Sequence, residues 1–138
     1  MEQEKSKFKF EGYKISHSEL NLSESSSDCT KFSIGIKAKA NVKDNHFYLK
    51  LDATVANEDN SVFANVIMTG EFVFDKDISK DMLGGLFCAN APAIMFPYIR
   101  SYISTLTALS GSDTVIVPTL TMSSLRDEIL QSLNEKNS

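Results

Sequence analysis

Histidine and cysteine are scarce in this chain, and the few present lie far apart: His17, His46, Cys29 and Cys88 among 138 residues. Neither cysteine belongs to a CxxC pair or to metal-ligand spacing, which speaks against a disulfide framework and against a zinc site. A Cys/His catalytic pair assembled in space has no local signature behind it. Cys88, in the apolar run Leu86-Phe87-Cys88-Ala89, reads as a small buried hydrophobe, and both histidines read as surface residues. No catalytic role is expected for any of the four. Gly84-Gly85 lacks the spacing and the lysine of a phosphate loop, and no HExxH, GxSxG or calcium-loop pattern occurs. Asp75, Asp77 and Asp81 are too few to hold a metal alone and read as a solvated turn. Positive charge is not in excess either. A formal net charge of -4 disfavours nucleic acid as a partner, because phosphate binding needs concentrated Lys and Arg. Lys37, Lys39 and Lys43 alternate along one strand and read as a solvated sheet face. No apolar run is long enough to span a bilayer, and Met1-Glu2-Gln3-Glu4-Lys5 is too polar for a signal peptide. The expected setting is a reducing cytoplasm with free thiols, without a cofactor and without direct membrane insertion.

What the chain does have is apolar patterning of two periods. A hydrophobic fraction of 42% with 23% charged residues is that of one globular domain covering residues 1–138. From Phe32 the chain alternates, with Phe32, Ile34, Ile36, Ala38, Ala40 and Val42 on one face. Asp44-Asn45-His46 supplies turn chemistry, and Phe47, Leu49, Leu51, Ala53 and Val55 follow as the inward face of a hairpin partner. A polar turn over 57–61 precedes a third strand, Val62 to Phe74, in which Gly70 predicts a bulge or a close approach. At the N-terminus Phe8 and Phe10 alternate, the phase shifts across Gly12 to Tyr13 and Ile15, and it shifts again to Leu20 and Leu22. That strand must be bulged or bent. The stretch Ser23 to Asp28 is too polar to pack and reads as a loop.

The second half of the chain is helical. Met95, Ile99, Tyr102, Ile103, Leu106 and Leu109 carry the stripe of an amphipathic helix, with Pro97 marking its first turn or a kink. Ser110-Gly111-Ser112-Asp113 ends it, Val115-Ile116-Val117-Pro118 is an extended connector, and Met122, Leu125, Ile129 and Leu133 form a second stripe. Thr121 or Ser123 would cap that helix. Strands followed by helices predict an α+β domain: a four-stranded antiparallel sheet, a long helix and a C-terminal helix.

Nine phenylalanines and four tyrosines are many for such a domain. A four-stranded sheet has two faces, and two helices do not easily cover both. Uncovered apolar surface marks an interaction site, whether for a second copy or for foreign chains.

Phe96-Pro97-Tyr98-Ile99-Arg100 resembles the F-P-Y-x-R motif that opens the long helix of the SecB-type export chaperone family. Ala91-Pro92-Ala93-Ile94-Met95 stands where that family has C-P-N-I-L, and Val115-Ile116-Val117-Pro118 resembles its L-x-L-x-P connector. Element order agrees over almost the whole chain. The resemblance implies an ATP-independent, non-enzymatic chaperone in the cytoplasm, a homotetramer built as a dimer of dimers, which binds unfolded or precursor polypeptides for export. Ile99, Tyr102, Ile103 and Leu106 are its expected oligomer interface. Phe10, Phe72 and Phe74 are the expected floor of a client groove, with Leu125, Ile129 and Leu133 beside it; the alternative for each phenylalanine is sealed core. The family docks the Sec translocase motor through acidic side chains on the sheet. Glu19 stands at one such position, while Ser23 and Val66 occupy others. A chaperone dedicated to another client, such as the antitoxin of a toxin–antitoxin system, is the alternative that these departures favour. An α+β domain binding a small molecule between sheet and helices is the alternative from another class.

Overall fold

The computed structural model describes residues 8–23, 32–58, 60–79, 84–111, 115–117 and 125–136. Four strands come first: β1 (Phe8–Leu22), β2 (Phe32–Lys43), β3 (His46–Asn57) and β4 (Val62–Phe74). A π-helical turn over Leu86–Asn90 then leads into α1 (Ala91–Leu109), and α2 (Arg126–Lys136) follows. The architecture is α+β. From residue 24 on, the expected polar loop lies outside the described residues, as do Cys29, Asp81, Pro118, Met122, Thr121 and Ser123.

All neighbouring strands are antiparallel, in the order β1-β4-β3-β2. The hairpin between β2 and β3 turns on Asp44 and Asn45, and Asp44 adopts φ 57, a left-handed conformation that Asp and Asn tolerate. At the next turn Asn57 is buried and serves the backbone: its Oδ1 accepts from the Val62 N–H at 3.0 Å and its Nδ2 donates to Ser61 Oγ at 2.6 Å. The two phase shifts of β1 are real. Its register against β4 slips between Phe10 and Gly12 and again between Ile15 and His17. Each slip returns the apolar side chains to the same face.

That face is the core. Along β3 and β4 every second residue is buried, from Phe47 to Val55 and from Val62 to Phe74. Both helices lie on this side, α1 over β4 and β3, and α2 over β2. Gly70 is the close approach: a Cβ there would stand 2.6 Å from the sulfur of Met95, itself fully buried. α2 also manages the open edge of the sheet. The Ala38 N–H of edge strand β2 donates to Glu128 Oε2 at 2.6 Å.

The helix α1 starts about a turn earlier than its periodicity predicts, because Pro92 occupies the first helical turn. Pro97 is therefore interior rather than in the first turn. Its ring leaves the Ala93 carbonyl without a helical donor, and both residues are exposed, so water can take that place. Gly111 at φ 82 closes the helix. Among the described residues no helix is long and apolar enough to cross a membrane.

Candidate functional site

At one end of the core face the aromatic residues of three strands and two helical segments meet. Phe47 stacks on Phe87 with ring centroids 3.8 Å apart, both buried. Phe72, fully buried, lies 5.9 Å from Phe47, 4.9 Å from Phe8 and 5.0 Å from Phe10. The chain of rings then leaves the core. Phe10 is half-buried and 5.9 Å from Tyr98, and Tyr98 sits 4.8 Å from Tyr13. Tyr13 and Tyr98 are 43% and 42% exposed, so the series ends as an open aromatic surface between β1 and α1. Each ring pair adds about 0.5–1.5 kcal/mol beyond its area, which makes the exposed pair a stiff platform resting on a sealed base.

Of the expected groove residues, Phe10 belongs to this surface, while Phe72 and Phe74 lie beneath it, buried. Leu125 and Ile129 are buried under α2 and Leu133 is half-buried, all beside β2 at the far edge of the sheet. The π-helical turn stands between the two groups: Phe87 meets Phe74 edge-on at 5.5 Å, and Cys88 Sγ lies 3.9 Å from the Arg126 carbonyl. Around α2, Phe32, Ile34 and Ile36 of β2 remain half-buried with Leu130 and Leu133. Tyr13 and Tyr98 did not stand out in the sequence as groove residues. The signal available was Tyr98 itself, an aromatic next to a helix proline and outside the Met95–Ile99–Ile103 stripe.

The expected interface residues divide by face. Ile99 and Ile103 are fully buried against this chain's own sheet. Tyr102 is half-buried, its hydroxyl donating to Ser18 Oγ at 2.9 Å, and Leu106 is half-buried. Tyr98 and Tyr102 lie along the flank of α1 that meets β1, and Leu109, which recurs with them at helical spacing, is 83% exposed.

The opposite face of the sheet is mixed, with Phe63, Ile67 and Val73 of β4 half-buried among polar side chains. Glu19 is exposed there, with His17 Nε2 at 3.7 Å and the Asn21 amide donating to it at 3.1 Å. His46 Nδ1 lies 2.9 Å from Glu71 Oε1, which also accepts from the Tyr48 hydroxyl at 3.5 Å. Loss of solvation, then the Glu71 charge, pushes the Tyr48 phenol above its ordinary value. Asp52 accepts from the Asn65 amide at 2.7 Å. Lys14, Lys39 and Lys50 stand on this face in the row between those of Asp52 and Glu71.

Cys88 is buried, and burial pushes its thiol up despite the nearby Arg126. A thiol so placed is a poor nucleophile. Among the described residues no three His, Cys, Asp or Glu side chains stand together as a metal site.

The model of the family described as preprotein translocase subunit SecB matches residues 15–128. No curated protein sequence matches the chain. Among solved structures, the SecB-like chaperone of Mycobacterium tuberculosis, in complex with a ChAD peptide from the HigA1 antitoxin, superposes with a TM-score of 0.70. Identity to it is 11%, over 83% of this chain and 91% of that one, so the likeness is one of fold.

Proposed function

The chain belongs to the SecB family, and from that membership we propose that it is an ATP-independent molecular chaperone holding unfolded or precursor polypeptide. The family match carries the reading. The open aromatic surface of Phe10, Tyr13 and Tyr98 supports a place for it, because flat rings accept many apolar side chains without demanding one sequence. The half-buried strip of Ile34, Ile36 and Leu133 beside α2 is a second contact region on the same client. Two weak regions on one chain raise its avidity. Assembly as a cytoplasmic homotetramer, a dimer of dimers, would multiply these regions. Tyr102 and Leu106 then meet a second copy, with Ile99 and Ile103 as the packed layer beneath them. The double variant Tyr13→Ser/Tyr98→Ser should suppress aggregation of a reduced, unfolded model protein several-fold less well, while keeping a cooperative melt shifted down by several degrees for the ring pairs lost. Full suppression by that variant would remove the aromatic surface from the reading.

The first destination we propose for the client is export, with hand-over to the Sec translocase motor ATPase through Glu19. On this reading Glu19→Lys abolishes co-sedimentation with the motor and leaves client capture intact. The second is a dedicated client. The matching fold was solved with an antitoxin peptide bound, and lysines crowd the sheet face that carries Glu19. Absence of any wild-type co-sedimentation with the motor would decide for this second reading.

A further inference from the structure

The outer face of the sheet, turned from both helices, carries an uncompensated row of positive charge in a protein whose net charge is -4. Lys39 of β2 stands directly opposite Lys50 of β3, Lys50 opposite Thr69 of β4, and Thr69 opposite Lys14 of β1. Residues opposite one another in antiparallel strands share a face, so the three lysines form one line across all four strands. Three interstrand steps make that line about 14 Å long. All three side chains are exposed, and none has an ion-pair partner among the described residues. Like charges directly opposite each other destabilise a sheet, so Lys39 against Lys50 is an unfavourable pair in the free protein. The nearest acids do not relieve it. Asp52, one row away, stands opposite Lys37 and accepts from the Asn65 amide at 2.7 Å; Glu71, in the row on the other side, is held by His46 and Tyr48, and Glu11, beside Lys14, pairs with Lys9 at 3.8 Å. Two hollows, of about 410 and 430 Å³, adjoin Tyr48 and Thr69; Lys39 and Lys50 line the first, which holds no acid among the described residues, whereas Lys14 shares the second with Glu11 and Glu71, so the first is the stronger anion site.

We infer that this row is a docking surface for an acidic polypeptide segment lying across the strands. Carboxylates two apart in an extended segment, or four apart in a helix, recur every 6–7 Å, so two or three of them match the line of lysines. A longer polyanion fits less well, since rows holding Asp52 and Glu71 flank the lysines about 7 Å to either side. The surface adjoins the aromatic client surface at Tyr13, which lines the second hollow beside Lys14, while Lys50 and Lys39 stand two and three strands away from it. Its electrostatic sign is also opposite to that of Glu19, so an acidic segment and the motor would not share contacts.

The test is fluorescence anisotropy of the whole protein with labelled hexaglutamate, hexaserine and hexalysine peptides. Hexaglutamate alone should bind, more weakly as salt is added. Lys39→Gln/Lys50→Gln should weaken it about tenfold, and Lys14→Gln should act in the same direction. Both variants should melt no lower than wild type, the double one higher as the opposed pair is relieved, and both should suppress client aggregation normally. The inference fails if hexaglutamate binds no better than hexaserine, or if its affinity is indifferent to the three lysines. It fails equally if a labelled oligothymidylate binds more tightly and is lost in the same variants, which would give the row to nucleic acid.

Discussion

Ile103→Asp should leave the chain unfolded at 25 °C. Ile103 is fully buried on the sheet side of α1, in the same core as Met95 and Ile99. A carboxylate there has neither water nor a cation, and either its charge is buried unpaired or its proton is taken up at a penalty. Burying it costs several kcal/mol, on top of about 2–5 kcal/mol for the lost side chain. The whole stability of such a domain is about 5–15 kcal/mol. Circular dichroism should show no cooperative melt. Loss of an oligomer in this variant would therefore say nothing about the interface. Leu109→Asp asks that question instead, since Leu109 is 83% exposed. If the chain assembles as proposed, its melt should match wild type while light scattering reports smaller particles. A folded Ile103→Asp protein with a normal melting temperature would mean that α1 packs by another face.

Phe72→Ala should be the most damaging truncation in the aromatic series, by about 3–5 kcal/mol in denaturant unfolding. Phe72 is fully buried and touches the rings of Phe8, Phe10 and Phe47. Its loss leaves a cavity under the half-buried Phe8 and Phe10, which no longer rest on a fixed base. Client capture should fall as well, even at temperatures where the variant is folded, because the tyrosine platform is positioned through Phe10. Tyr98→Ser, by contrast, should weaken capture at a smaller cost in stability, that of two partly exposed ring pairs. A Phe72→Ala protein losing less than about 1 kcal/mol would show that the hub collapses to fill the gap, and would uncouple the platform from the core.

Much of this architecture follows from short-range rules that act on neighbouring residues. Side-chain alternation placed Phe47 to Val55 and the buried set of β4, and the phase shifts near Gly12 and before Leu20 located both irregularities of β1. Asp44-Asn45 set the hairpin, and a stripe at helical spacing set α1, because local sterics and period decide such elements. The apolar stripe alone would begin that helix at Met95, whereas a proline at position 92 opens it a turn earlier. The motif around Tyr98 carries the family resemblance in sequence alone.

Periodicity names the residues of a face; it does not say what covers them. Ile99 and Ile103 could have served a second copy or the chain's own sheet, and the placement of α1 over β4 resolved that for the single chain. Phe72 and Phe74 alternate like Phe10, yet the interior strand β4 seals their rings while the edge strand β1 leaves that of Phe10 half-open. The order β1-β4-β3-β2 separated Phe10 from Leu125, Ile129 and Leu133. It also brought Lys14 into line with Lys39 and Lys50. Such alignments arise from pairing between strands distant in the chain. The sequence determined which side chains share a face, because alternation is local; which faces and rows meet was decided by the tertiary structure, because register is a long-range choice.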